Sequence, residues 1–167
     1  MNGDPLTFVP SDSISEQTEA VFAAHAERIR EQLPNVEVRL HGGSAAPGLV
    51  TSGDVDLHVR TDVEGFGAAR DTLSELYEPV LEWKWNDEVA YFVDYGDEPP
   101  VELVLTLVGS LDDRFHKAAW ERILTDPGLV ARYNALKHDH EGGVLDDYKA
   151  AKREFFWEIV RSLDEPG

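Results

Sequence analysis

Two carboxylates alternate in the stretch "GDVDLHVR", at Asp54 and Asp56, shortly after the glycine-rich turn "HGGSAAPGL". Alternate positions on a strand share a face, so both side chains point one way while Val55 and Leu57 point the other. Like charges side by side on a strand repel. The plain reading is a solvated face. The chemical reading is a shared hard cation such as Mg²⁺, which takes carboxylate and phosphate oxygens. A two-metal phosphoryl-transfer site uses such a pair with a third carboxylate from a neighbouring strand. Glu102 opens "VELVLTLV", the most apolar strand segment of the chain, where a lone charge must be paired, exposed at an end or bound to metal. Asp54, Asp56 and Glu102 are therefore the candidate catalytic and metal-binding set.

The turn before them suits an anion. Gly42 and Gly43 let the backbone bend tightly and bring its N–H groups towards a phosphate, and Ser44 adds a hydroxyl. A simple strand-to-helix turn would use the same residues. His58 continues the alternation of Asp54 and Asp56 and is a candidate phosphate or metal contact, set against a hydrogen-bonded strand histidine. His41 has the same two readings. Lys152 and Lys137, on later helices, are candidate phosphate contacts set against ordinary solvated or paired cations. Trp83 and Trp85 alternate about Lys84, which predicts core packing on one face, with a base-stacking wall as the second reading. His138 and His140 lie two apart, which does not align them on one helix face, and read as surface.

The elements that must position these residues follow from periodicity and punctuation. Residues 1–13 read as a loose lead-in. A helix is expected from about Ile14 to Leu33, capped by Ser13 or Ser15 and stopped before Pro34. "VEVRL" and "DVDLHV" read as strands either side of the glycine turn, and a helix follows over about Gly67–Tyr77. "PVLEWKW", "VAYFVDY" and "VELVLTLV" are three strand candidates joined by the turns "NDE" and "GDEPP", so antiparallel neighbours are expected. From Ser110 the chain reads as helix: Ser110 and Asp113 resemble a capping box, Asp126 and Pro127 begin a second helix, and a third spans roughly Leu145–Leu163. Phe155, Phe156 and Trp157 read as core. The expected architecture is a single α+β domain over 14–167, with an αβ part over about 14–109 and a helical tail over about 110–163.

Composition narrows the partners. The 167 residues suffice for one domain with a real core. With 33 acidic residues against 15 basic ones, the formal net charge is −18, a field that repels nucleic-acid backbones and argues against general DNA or RNA binding. A salty habitat would favour the same acidity. There is no cysteine, which excludes disulfides and thiolate zinc sites. No apolar run is long enough to span a bilayer and no secretory signal opens the chain, so a cytoplasmic protein without a membrane partner is expected.

The motif as a whole resembles a known family. A glycine–serine turn after a strand (Gly43–Ser44), nine further residues, and Asp54–Val55–Asp56 on the next strand are similar to the nucleotidyltransferase fold of the DNA polymerase β type. "GGSAAPGL", "PGLVARYNALK" and "YKAAKREFF" resemble the GrpB-like family of that superfamily, over about residues 36–160. That family usually carries His-Leu-His where this chain has Glu102–Leu103–Val104. The resemblance implies a mixed β-sheet with flanking helices and a helical tail. It further implies an NTP substrate and Mg²⁺, with two ions at one site as an option. In that scheme Asp54 and Asp56 hold the metal, Glu102 completes the metal site or activates the acceptor hydroxyl, and Gly43 and Ser44 hold the β and γ phosphates; Gly42, His58 and Lys152 are the further candidate nucleotide contacts. The expected reaction moves a nucleotidyl group to a small-molecule or protein hydroxyl and releases pyrophosphate. A non-catalytic nucleotide-binding or interaction module and a metal-dependent phosphohydrolase are the alternatives.

Overall fold

The computed structural model describes residues 5–96 and 99–164. The first four residues of the expected lead-in, Asp97 and Glu98 of the "GDEPP" turn, and residues 165–167 lie outside them. Two short elements open the described chain: β1 (Val9–Pro10) and a 3-10 turn over Ser11–Ile14. The segment read as a loose lead-in is thus partly ordered, since β1 pairs antiparallel with β3 (Val50–Thr51) and buries Ser11. Helix α1 spans Ser15–Gln32, but neither serine caps it. Ser13 Oγ donates to the Pro10 carbonyl and Ser15 Oγ to that of Asp12, and Ile14 holds the N-cap position.

The main sheet contains β2 (Glu37–His41), β4 (Val55–Thr61), β5 (Glu78–Val80), β6 (Val89–Asp94) and β7 (Val101–Leu107), in the order β2-β4-β7-β6-β5. Only the central β4–β7 pair is parallel, and the expected antiparallel pairing of the last three strands holds. "PVLEWKW" is a strand only to Val80. Leu81 turns the chain with a left-handed φ of 52° and a 3-10 turn covers Glu82–Lys84. The two tryptophans consequently part. Trp85 packs on Phe92 and donates its Nε1–H to the Val80 carbonyl, whereas Trp83 is 79% exposed.

Alternation along the strands sorts the two faces of the sheet. Val55, Leu57, Val59, Leu103, Leu105 and Phe92 face α1 and α2 (Phe66–Leu76), forming a core with Ala26, Ile29, Ala69 and Leu73. The opposite face carries His41, Asp56, His58, Arg60, Glu102 and Thr106, and it meets the tail. That tail comprises α3 (Leu111–Thr125), α4 (Pro127–Asp139) and α5 (Leu145–Leu163), held by a second, aromatic core of Trp120, Tyr133, Phe155 and Phe156 around Leu49. Trp157 is half-buried beside it. No helix of the described residues is long and apolar enough to cross a membrane.

A largely buried ion pair helps to fasten the tail to the sheet. Arg60 of β4 donates two hydrogen bonds to Asp113 of α3, at 2.6 and 2.8 Å. Asp113 N–H donates to Ser110 Oγ, the first half of the expected capping box. The second half is missing, because the Asp113 carboxylate is drawn to Arg60, Gly109 N–H and Thr106 instead. Burial pushes Asp113 up, and these donors outweigh it and hold its pKa below the ordinary 3.8. The sign follows: an acid depressed on folding stabilises above its unfolded pKa, and that contribution is lost as pH falls through the folded value. Asp113→Asn is expected to cost about 2 kcal/mol in urea unfolding at neutral pH, because it removes the charge that pairs with the largely buried Arg60 and leaves that guanidinium to Glu37 alone. The difference from wild type should shrink in acid.

Candidate active site

The register of two strands brings the carboxylates together. Asp56 on β4 is the parallel partner of Glu102 on β7 and the antiparallel partner of His41 on β2. Asp54 stands one residue before β4, where Ser52 Oγ donates to its carboxylate at 3.3 Å. The two aspartates thus differ in setting. Asp56 and Glu102 line a cavity of about 460 Å³ between the sheet and the tail, and Asp54 is not among its lining residues.

The charges oppose one another. Burial, with Glu102 and Asp54 adding to it, raises the pKa of Asp56 to about 8 against the opposition of Lys152 and Lys137. Glu102 has an exposed side chain, as an end position on its strand allows, and its pKa is raised by partial desolvation and then by Asp54, and that of Asp54 by burial, with Ser52 and Lys152 opposing. Lys152 stands in the same field. Tyr133, and then Tyr148, Asp56 and Glu102, hold it above the ordinary lysine value against the cost of burial. An oxygen-only donor set that resists ionisation fits a hard divalent cation, which would favour the charged forms. Among the described residues no group of three or more His, Asp or Glu side chains is already arranged to hold a metal.

The glycine turn packs against this set. Gly42 has a φ of +82°, and a Cβ there would fall 2.0 Å from Asp56 Oδ2. At Gly43 a Cβ would meet Lys137 Nζ at 2.5 Å. Lys137 is almost fully buried, donates to the Val50 carbonyl and lies 4.2 Å from the Tyr133 ring centroid. Burial lowers its pKa to about 7, with Lys152 adding and Asp56 opposing. The lysine supports the turn from beneath.

Two expected contacts are placed elsewhere. Ser44 is buried, with its Oγ donating to the Asp54 carbonyl and 2.8 Å from Thr51 Oγ1, so it ties the turn to β4. His58 is fully buried and bonded to Thr106, which matches the hydrogen-bonded strand histidine. Of the proposed nucleotide contacts, Gly42 and Lys152 line the cavity and Gly43, Ser44 and His58 do not. Sequence reading missed Lys149 and Arg153, which also line it, as does Phe156 from the expected core. The signal was present: 149, 152, 153 and 156 follow the i, i+3, i+4, i+7 rule and share one face of α5.

Acidic side chains on adjacent strands beside a glycine–serine turn, with a helical tail across them, define a nucleotidyltransferase-like fold. The GrpB protein family model matches residues 12–162, and the chain belongs to that family. The crystal structure of GrpB from Enterococcus faecalis superposes with a TM-score of 0.70 at 16% identity, over 95% of this chain and all of that one. A UPF0157 protein of Vibrio cholerae is 23% identical over 95% of this chain and 84% of its own length. The Cid1 poly(U) polymerase, solved with Mg and 3′-dATP, shares the fold at a TM-score of 0.51 and 16% identity. This chain covers 41% of that enzyme.

Two expectations test the geometry. Gly42→Ala should destabilise the protein by clearly more than Gly48→Ala in urea unfolding. Both positions have left-handed φ, worth about 1–2 kcal/mol for any other residue, but a Cβ at Gly48 meets nothing. Asp56 predicts a pH dependence of opposite sign to Asp113. An acid raised on folding costs stability as pH climbs from its unfolded value to its folded one. The metal-free protein should therefore lose stability between pH 4 and about 8, and Asp56→Asn should flatten that loss.

Proposed function

We propose that this protein is a Mg²⁺-dependent nucleotidyltransferase that binds an NTP in the cavity between sheet and tail and transfers its nucleotidyl group to a hydroxyl acceptor. The observation that carries the reading is the register pairing of Asp56 with Glu102 opposite the cations of α5. A triphosphate needs both signs: cations for its own charge and carboxylates for the metal that accompanies it. Asp56, Glu102 and Asp54 are the residues that would hold Mg²⁺. The ion would supply charge neutralisation for the transferring phosphoryl group.

The chain's own side chains complete the division of labour. Lys152, with Lys149 and Arg153 on the same helix face, neutralises phosphate oxygens. Gly42 keeps the turn close to Asp56 and leaves room for the ligand backbone. Tyr91, Phe115 and Phe156 give the cavity apolar walls that suit a base and exclude water. Catalysis of this kind is mostly positioning and electrostatics, and an in-line transfer would release pyrophosphate.

The test is calorimetric titration with ATP and GTP, with and without Mg²⁺, on wild type and on Asp54→Asn/Asp56→Asn. Mg²⁺-dependent binding that weakens at least about tenfold in the double variant is expected. Pyrophosphate release on addition of hydroxyl acceptors supports transfer, and release of inorganic phosphate alone points to a phosphohydrolase. Binding without turnover marks a nucleotide-binding module. No nucleotide binding by the folded protein at any salt concentration overturns the reading.

A further inference from the structure

The sheet wall of the cavity carries a cation that the reading above does not use. Lys84, Lys149, Lys152 and Arg153 line the cavity, four of the chain's 15 lysines and arginines against 33 acids. Elsewhere the acids capture their share: Arg39, Arg60, Arg114, Lys117, Arg132 and Arg161 each form an ion pair. Among the described residues none of the four cavity cations forms a direct one. Unpaired cations in so acidic a chain mark where an anionic ligand belongs. Three of them share one face of α5 and answer the triphosphate. Lys84 stands apart, in the turn that follows β5.

That turn is built to hold it there. Among the described residues Leu81 is the one residue other than glycine with a left-handed φ, at 52°. Such a conformation persists only where the surroundings enforce it. Here Lys84 N–H donates to the Leu81 carbonyl at 2.8 Å and Trp85 N–H to that of Glu82 at 3.1 Å. Trp85 pins the far end, with its ring on Phe92 and its Nε1–H on the Val80 carbonyl. Continued as a strand, β5 would carry Lys84 away along the sheet edge. The bend instead returns Leu81 and Lys84 to the cavity wall. Core packing does not account for it, since Leu81 is 43% exposed and Trp83 more exposed still. Lys84 Nζ lies 4.9 Å from the Trp83 ring centroid and makes no hydrogen bond among the described residues, so its donors are open to a ligand.

The register places the turn relative to the carboxylates. Val80 pairs with Tyr91, Tyr91 pairs with Val104, and Glu102 lies two residues before Val104. Two strand spacings across and two residues along put the Val80 and Glu102 backbones about 12 Å apart. A group held by Lys84 is thus distinct from one held at the carboxylates, yet a single small molecule reaches both. Lysine is a compact point charge that suits a phosphate, whereas a carboxylate is matched better by the planar fork of arginine.

We propose that the Leu81–Lys84 turn is the acceptor-binding element of the cavity and that Lys84 takes a phosphate carried by the acceptor. The acceptor role rests on the transferase reading, and the phosphate site on the cavity alone. The acceptor is then a small phosphorylated compound, of about the size of a sugar phosphate, with a free hydroxyl at its other end. In the transfer that hydroxyl oxygen bonds to the α-phosphorus of the NTP. The bond from this phosphorus to the bridging oxygen breaks, pyrophosphate leaves with the electron pair, and the hydroxyl proton passes to solvent. The acceptor's own phosphate stays unchanged on Lys84.

The test is NMR titration of the full-length protein with inorganic phosphate at constant ionic strength, with and without saturating Mg²⁺ and a non-hydrolysable ATP analogue. The Trp83 indole N–H, assigned with Trp83→Phe, reports on the turn. A saturable shift of that signal is expected in both states. Lys84→Gln should weaken the phosphate affinity read there by more than about tenfold, while Lys84→Arg and Lys117→Gln, the latter outside the cavity, should keep it. No shift at Trp83, a shift that survives Lys84→Gln, or one that the nucleotide abolishes overturns the proposal. In the last case Lys84 serves the triphosphate itself. A Lys84-dependent shift in a protein that binds no nucleotide supports the phosphate site and overturns the transferase reading, which keeps the two failures apart.

Discussion

Asp56 and Glu102 are register partners on the one parallel strand pair of the sheet, so their side chains leave the same face from backbones about 4.8 Å apart. That pairing cannot be relaxed locally. A one-residue slip would turn Val55, Leu57 and Val59 out of the core and the charges into it. The hydrophobic demand of one face thus enforces the electrostatic strain of the other. The rest of the site answers this constraint. Lys152 supplies opposing charge from the tail, and Gly42 gives up its side chain so that Asp56 fits beneath the turn.

The tail is half of the site rather than a cover for it. Its aromatic core orients α5 so that Lys149, Lys152 and Arg153 reach the cavity. The Arg60–Asp113 pair sets α3 on the sheet face, and through Thr106 the same carboxylate holds the His58 ring. A single acid therefore joins the cap of a helix, the docking of the tail and the inner wall of the cavity. Beneath the turn, Lys137 sets its amino group against a carbonyl and an aromatic ring, a polar support in an otherwise apolar layer.

Much of this was legible in the sequence, for reasons that are local. Alternation revealed the two faces of β4 and β7, and punctuation by Pro34, Asp126 and Pro127 marked helix ends. The pairing of Asp56 with Glu102 was reachable because a charge opening an apolar strand demands an explanation. The failures share a different cause. "PVLEWKW" has strand composition, but Leu81 adopts a left-handed conformation that propensity does not reveal. Ser13 and Ser15 look like caps, yet a preceding 3-10 turn takes their hydroxyls. Ser44 suits a phosphate turn, but its hydroxyl is spent on the Asp54 carbonyl, a partner fixed only by tertiary structure. The neighbouring rings of His41, His58 and His116 come from three separate elements, and no spacing in the chain announces their meeting.

The buried Asp56 carboxyl is held in a state that calls for a cation. Carbon-detected NMR titration of that carboxyl, in chelator and then in Mg²⁺, is the decisive measurement. Titration near pH 8 is expected without metal, with a fall of well over one unit when Mg²⁺ is present. An Asp56 that titrates as an ordinary carboxylate in chelator, or does not respond to Mg²⁺, would contradict it.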